Sequence, residues 1–185
     1  MRRRVTLLAM LAGLALVAAP LVTRHTPRLI WNSSASVPIG LYRVAPATAI
    51  AVGDLVAVSA PEPLAAFLDE RGYLPRGVPL LKHVLALPGA TVCRQGLTII
   101  AYDQAYGAAR ERDRLGRPLP EWQGCRIIAG SEVFLMNWEA EDSFDGRYFG
   151  PLPVISVTAR IIPIWTDAEG DGRFRWHQAH AEDGP

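Results

Sequence analysis

Lysine is nearly absent from this 185-residue sequence: 18 of its 19 basic residues are arginine, and its one lysine is Lys82. An excess of charge of one sign is also lacking, since 18 acidic residues leave a formal net charge of +1. A chain so balanced has no overall field that would hold a phosphate backbone, so we expect no nucleic-acid partner. Half of the residues are apolar, which excludes a disordered polar chain and is enough for one core.

Cysteine and histidine are scarce as well, with two and four residues. Cys93 and Cys125 lie 32 positions apart, without a CxxC motif or a nearby histidine cluster, so we expect no metal site and no other cofactor. Two cysteines in an exported domain most often form one disulfide. The alternative is a pair of buried free thiols.

The N-terminus has the pattern of a membrane-targeting segment. Arg2–Arg4 precede an uncharged run from Val5 to Thr23, roughly 28 Å long as a helix and just enough to cross a bilayer. Such a segment is either a signal peptide or an anchor. Cleavage after Ala19 would leave Pro20 first, which disfavours cutting, so we favour an uncleaved transmembrane helix in contact with lipid. The arginines should then stay in the cytoplasm and the rest of the chain should lie in the periplasm, held at the inner membrane.

The exported part, residues 24–165, has the composition of a mostly β domain. Its 16 glycines and 15 prolines, counted over the whole chain, interrupt short runs rich in valine and isoleucine, which predicts an antiparallel sheet with one or two short helices. The helix candidate is Pro63 to Arg71, followed by Gly72. Residues 166–185 are predicted to form a polar tail. The strand candidates are Leu29–Trp31, Gly40–Val44, Leu55–Val58, Leu80–Leu87, Thr98–Ala101, Arg126–Ala129, Glu132–Trp138 and Val154–Trp165.

Lys82 is the first candidate for chemistry. In a strand it shares a face with Leu80 and Val84, so its ammonium group either reaches water past its apolar stem or is buried among those neighbours. Arginine stays protonated at working pH, whereas a desolvated lysine can lose its proton and act as a base. The use of lysine at this one position therefore suggests a requirement for an amine.

The second candidate is the turn-forming stretch from Asn32 to Tyr42, which contains Ser33, Ser34 and Ser36. By default it is a solvated loop; as a site, one serine would be a nucleophile and another an oxyanion donor. The sequence has no GxSxG motif, and a histidine next to Lys82 in a strand would point to the opposite face. Serine with lysine is the self-sufficient pair that remains.

Three segments resemble the boxes of one enzyme family. Residues 34–42, SASVPIGLY, resemble the S-x-P-x-G-x-Y box of the conjugative-transfer signal peptidases (TraF-like), a branch of the type I signal peptidases. Residues 81–92, LKHVLALPGATV, resemble the family's lysine box. Residues 132–137, EVFLMN, with 143–151, SFDGRYFGP, resemble its third region. The boxes stand in the family's order.

The resemblance implies a membrane-anchored serine endopeptidase with a Ser/Lys dyad. It implies that Ser36 is the nucleophile and Lys82 the general base. It also implies that the Ser36 backbone N–H and the Ser34 hydroxyl form the oxyanion hole.

The third region implies the supporting groups. Ser143 matches the residue that orients the lysine amine, and Asp145 and Arg147 match a structural ion pair. The sequence departs from the family pattern where Leu135-Met136 replaces Gly-Asp, and where Ala90 replaces the usual Asp. These departures concern residues around the dyad and not the dyad itself.

The mechanism sets a demand on the structure. The Ser36 hydroxyl must come within about 2.6–3.2 Å of a neutral Lys82 amine, and burial must lower the amine pKa by several units from its usual value near 10.4. The family implies that the substrate is an exported pilin or another preprotein, bound as an extended strand and cleaved, or cyclised, during conjugation. The alternatives are a general leader peptidase and an inactive β module that binds pilus or secretion-channel subunits.

Overall fold

The structure, a computed structural model, describes residues 2–22 and 27–177, with side chains of the first segment described for residues 3–14. The helices are α1 Arg2–Val22, α2 Leu64–Glu70 and α3 Gly146–Phe149. The strands are β1 Leu29–Asn32, β2 Ile39–Ala45, β3 Leu55–Val58, β4 Leu80–Ala86, β5 Thr91–Gln95, β6 Thr98–Ala101, β7 Gln104–Ala108, β8 Gly124–Ile127, β9 Glu132–Leu135, β10 Leu152–Pro153, β11 Val157–Asp167 and β12 Arg175–Trp176.

The predicted N-terminal segment forms a helix, α1, which spans 21 residues. Among the residues described, none of the helices combines the length and apolar character required for a membrane span. The predicted transmembrane helix is therefore not found there.

An antiparallel sheet forms the body of the molecule, as predicted. Its strands lie in the order β1-β2-β11-β3-β4-β9-β10, and β12 pairs with β11. Strand β4 pairs with β3 on one edge and β9 on the other, and both of its faces are buried by packed side chains. Val56 and Val84 pack on one face of this region and Leu81 on the other. The central position of β4 removes Lys82 from solvent, since the neighbouring strands and their side chains cover it.

A second antiparallel sheet, in the order β7-β6-β5-β8, stands beside the first. Cys93 of β5 lies directly opposite Cys125 of β8, and the two form the predicted disulfide. The inner face of this sheet packs Val92 and Ile99 against Phe134.

The polar segment after Thr166 does not leave the fold at once. Strand β11 runs on to Asp167, and β12 pairs with it through Trp165 and Trp176, whose rings stack at 5.9 Å. Residues 167–177 therefore extend the sheet, in contrast to the tail predicted from residue 166. The end of that predicted tail, residues 178–185, lies outside the described residues.

Candidate active site

The serine-rich stretch is the connection between β1 and β2. Asn32, the last residue of β1, holds this turn closed: its side-chain amide donates to the carbonyl oxygens of Ser34, Val37 and Pro38 at 2.7, 3.1 and 3.0 Å. Its Oδ1 accepts from the backbone N–H of Ser34 at 3.1 Å. The Tyr42 hydroxyl donates to the Pro38 carbonyl at 2.5 Å. A turn fixed at so many points holds its serines in one place.

Gly40 allows this turn to dock on the sheet. Its φ is +151°, and a Cβ atom there would lie 2.2 Å from the Trp165 carbonyl oxygen. A side chain cannot be accommodated at that distance from backbone, so β2 approaches β11 closely only with glycine here. The Gly and Tyr of the serine box therefore serve to position the turn.

Ser34 and Ser36 converge at the outer side of the turn. The Ser34 hydroxyl donates to Ser36 Oγ at 3.2 Å, and the Ser36 backbone N–H donates to Ser34 Oγ at 3.4 Å. Ser34 is exposed and Ser36 half-buried, so both hydroxyls can meet a substrate. The two donors expected for an oxyanion site, the Ser36 N–H and the Ser34 hydroxyl, therefore lie side by side, and in this structure each bonds to the oxygen of the other serine.

Lys82 lies on β4 with only 3% of its surface exposed. Burial lowers the pKa of its amine to about 8, while the Asp145 carboxylate opposes this change and the Arg147 guanidinium adds to it. Loss of hydration is the largest influence, because an ammonium group is far less stable away from water than an amine. At neutral pH roughly a tenth of the lysine is therefore uncharged, several hundred times more than for an exposed lysine.

Ser143 is the hydrogen-bond acceptor of the lysine amine. Lys82 Nζ donates to Ser143 Oγ at 2.8 Å, and Ser143 is itself 4% exposed. A neutral amine that donates here keeps its lone pair for a second partner. The structure thus brings the predicted orienting serine to the predicted base.

The loop that carries Ser143, residues 137–145, is wound around the guanidinium of Arg147. Arg147 Nη2 donates to the carbonyl oxygens of Asn137, Ala140 and Ser143 at 3.2, 2.6 and 3.3 Å. The same side chain forms two 2.9 Å bonds to Asp145 through Nε and Nη2. The predicted ion pair is present and fully buried, and its bonds set where Ser143 stands.

Asn137 is a positioning residue to which the sequence reasoning assigned no role. Its Oδ1 accepts from the backbone N–H of His83 at 3.0 Å, and its Nδ2 donates to the Leu81 carbonyl at 3.0 Å. Asn137 thereby grips β4 on both sides of Lys82. The sequence signal for Asn137 was its match to the asparagine of the third box. Asn32, at the start of the serine turn, matches no box and had no such signal.

One cleft of about 740 Å³ joins these groups. Its walls include Ser34, Ser36, Lys82 and Ser143. Within residues 27–177, the hydrogen-bond partner of Lys82 Nζ is Ser143, and no hydrogen bond joins it to Ser36. The direct contact expected from the mechanism is therefore not formed in the free protein, in keeping with catalytic bonds that tighten only around substrate.

The part of the chain that the structure describes contains no group of three or more His, Cys, Asp or Glu residues that could hold a metal ion.

The profile of the family described as "Signal peptidase, peptidase S26" matches residues 1–166. The chain belongs to this signal peptidase family. Curated relatives place it in the TraF-like branch. A plasmid transfer protein TraF of Escherichia coli is 34% identical over 146 residues, 73% of this chain and 81% of that protein. A conjugal transfer protein TraF of Agrobacterium tumefaciens (strain 15955) is 32% identical over 177 residues, 90% of this chain and 98% of that protein.

Among solved structures, a signal peptidase I from Enterococcus faecalis V583 is 17% identical, with a TM-score of 0.38 over 61% of this chain and 97% of that one. This structural similarity is too low to support any argument about the function of the present chain.

Proposed function

We propose that the protein is a serine endopeptidase that uses Ser36 as nucleophile and Lys82 as general base. The observation that carries the proposal is a buried amine, with its pKa lowered to about 8, in the same cleft as the serine turn. Ser143 orients this amine at 2.8 Å. A lone, buried, hydrogen-bonded lysine in the same cleft as an accessible serine supports base-assisted acyl transfer once substrate brings the two together.

In the proposed reaction, the lone pair of the neutral Lys82 amine accepts the Ser36 hydroxyl proton as Oγ attacks the substrate carbonyl. The negative charge that forms on the carbonyl oxygen is stabilised by the Ser36 N–H and the Ser34 hydroxyl. The Lys82 ammonium then gives its proton to the leaving amine, and an ester to Ser36 remains. Water, activated by the regenerated amine, hydrolyses this ester and frees Ser36.

The proposed substrate is an exported precursor, such as a conjugative pilin. The names of the relatives, plasmid and conjugal transfer proteins, support this choice of process. The Cys93–Cys125 disulfide supports a site of action outside the cytoplasm, in the periplasm, because disulfides persist in oxidising compartments. If a substrate amine rather than water attacked the acyl-enzyme, the same site would produce a cyclic product.

The test is incubation of the purified protein with the precursor of a conjugative pilin, followed by mass spectrometry of the products. Wild type should cleave once, and Ser36→Ala should not cleave. Ser33→Ala, a change of a neighbouring exposed serine in the same turn, is the matched control and should remain active. Mass spectrometry also separates a hydrolysed product from a cyclic one, which is lighter by one water.

Lys82→Arg separates an enzyme from an inactive binding module. Arginine cannot act as a base at neutral pH, so an enzyme loses turnover, whereas a module keeps its binding. Cleavage by Ser36→Ala at the wild-type rate would refute the proposal. A preference for general secreted preproteins over pilin precursors would support the leader peptidase instead.

A further inference from the structure

A hairpin-shaped loop rich in arginine, residues 109–119, forms one wall of the cleft; we call it the arginine loop. The Leu119 N–H donates to the Glu111 carbonyl at 2.9 Å, and the Asp113 N–H donates to the Arg117 carbonyl at 2.9 Å. Arg112 and Pro118 pair between these bonds. The backbone of the loop is thus ordered by its own hydrogen bonds up to its tip.

Side-chain hydrogen bonds hold the arginine loop against the floor of the cleft. The Asp113 carboxylate accepts from the Tyr73 hydroxyl and from Arg117 Nε, at 2.6 Å each. Burial acts to raise the pKa of Asp113, but these hydrogen bonds outweigh it and hold the pKa below its usual value. Arg71 Nη1 donates to the Pro118 carbonyl at 3.2 Å. The loop is therefore a fixed wall.

The other side of the loop reaches the catalytic groups. Arg110 Nη1 contacts Asp142 at 2.5 Å, and Arg114 pairs with the same carboxylate. Asp142 is the residue next to Ser143, which binds the Lys82 amine. Through Asp142 and Ser143, chain and side-chain lengths limit the distance from the guanidinium of Arg114 to that amine to about 15 Å at most. An extended peptide spans such a distance in no more than about five residues.

The charges on this part of the cleft do not balance. Five arginines line it, and two carboxylates, Asp113 and Asp142, face them; the arginines are Arg71, Arg110, Arg112, Arg114 and Arg117. Outside the lining, Glu141 pairs with Arg110 at 3.3 Å, and Glu111 of the loop itself is exposed, so the five arginines still outnumber the four nearby carboxylates. Among residues 27–177, Arg112 has no carboxylate partner, and its Nη1 donates to the Gly116 carbonyl at 2.7 Å. A concave surface with excess positive charge attracts anionic groups.

We propose that the arginine loop selects substrates that carry an acidic side chain about three to five residues from the scissile bond, bound by Arg112 with help from Arg114. The inference rests on the proposed function, which fixes where the scissile bond lies. The Ser36 and Lys82 chemistry does not itself require an acidic peptide segment, so the arginine loop would add this preference. Complementary charge of this kind sets specificity and the rate of association.

The test measures binding apart from turnover. Short Ala- and Ser-rich peptides, labelled with fluorescein, carry a single Glu or a single Lys at each position around the cut, and their affinity for the Ser36→Ala protein is measured by anisotropy. At one or two adjacent positions, the Glu peptide should bind about fivefold more tightly than the Lys peptide. The preference should fade on raising the salt from about 0.05 M to about 0.5 M.

Arg112→Glu, in the same background, should abolish or reverse this preference, and Arg112→Gln should reduce it. Arg173→Glu is the matched control, because Arg173 is 80% exposed and does not line the cleft; it should leave the preference intact. Equal binding of Glu and Lys peptides at every position, or a preference that survives Arg112→Glu, would overturn the inference, as would failure to bind any peptide.

The two proposals fail separately. If wild type cleaves a neutral peptide and shows no charge preference, the peptidase proposal stands and the acidic specificity is wrong. If the charge preference appears in binding but wild type cleaves nothing, the acidic binding surface stands and the peptidase proposal is wrong.

Discussion

Replacing Lys82 with methionine should change how the stability of the protein depends on pH. Burial lowers the pKa of Lys82 from an ordinary 10.5 to about 8, so the folded protein binds the lysine proton more weakly than the unfolded chain does. This difference corresponds to roughly 3 kcal/mol. Below about pH 8 that free energy opposes folding in full, because the buried amine is then charged, and the opposition is relieved as the pH rises toward about 10.5.

The methionine variant lacks this titration. The free energy of unfolding of the variant minus that of wild type should therefore fall by about 2 kcal/mol between about pH 7 and about pH 9.5. Loss of the hydrogen bond to Ser143 adds a constant that does not alter this change. Groups common to both proteins cancel in the subtraction.

Urea denaturation followed by tryptophan fluorescence, at the two pH values, measures this difference. The variant should also lack activity at both. A difference in unfolding free energy that is the same at the two pH values would refute the reasoning, because it would mean that Lys82 titrates as an exposed lysine does.

Four further outcomes are expected. Wild-type kcat/KM should rise with pH along a limb centred near the Lys82 pKa of about 8, and a pH–rate profile without that limb would contradict the base assignment. Ser34→Ala should lower kcat about 100–1000-fold with little change in KM, measured by steady-state kinetics. Ser143→Ala should lower kcat and move the limb, which a change in folding alone would not do. Reducing the Cys93–Cys125 disulfide, which closes a loop of 32 residues, should lower the free energy of unfolding by about 3–4 kcal/mol in denaturant titrations.

The sheet that carries the lysine was predictable because its strands are buried and rich in β-branched residues. Leu55–Val58 of this sheet, and Thr98–Ala101 of the second sheet, were predicted with the bounds that the structure gives. The helix candidate Pro63 to Arg71 matches α2, Leu64–Glu70, with those two residues as its caps. In these segments the side chains that indicate the element also fill the core, so pattern and packing agree.

In other strands the hydrophobic pattern was weak because few of their side chains are buried. All four residues of β8 are exposed, so no burial period marks its bounds, and the prediction of Arg126–Ala129 was displaced by two residues from Gly124–Ile127. Strand β7, Gln104–Ala108, escaped notice because it has no buried residue. Strand β5, Thr91–Gln95, was not predicted although its burial alternates, since its first two residues were assigned to the lysine box. Strands β7 and β8 are held by backbone pairing in the second sheet, which leaves little trace in hydrophobic patterning.

The candidate site residues were named from the sequence, together with the supporting pair Asp145 and Arg147, but the two supporting asparagines were given no role. The resemblance named Ser34, Ser36, Lys82 and Ser143, and the structure places all four on one cleft. The side chains of Asn32 and Asn137 instead bond to backbone groups. The bonds of Asn137 join segments more than 50 residues apart, so sequence spacing does not predict them, whereas those of Asn32 lie within its own turn and depend on the conformation of that turn.

The buried ion pair explains how a carboxylate can lie near a lysine that, in the proposed mechanism, must lose its charge. Alone, Asp145 would favour the ammonium form of Lys82, since it acts to raise that pKa. Arg147 holds both carboxylate oxygens at 2.9 Å and acts on Lys82 in the opposite sense. Because the two charges act on Lys82 in opposite senses, burial determines that its pKa is lowered. The same guanidinium binds three carbonyl oxygens of the loop that presents Ser143, so one side chain both positions the partner of the amine and opposes the charge of Asp145, as the proposed role of Lys82 as base requires.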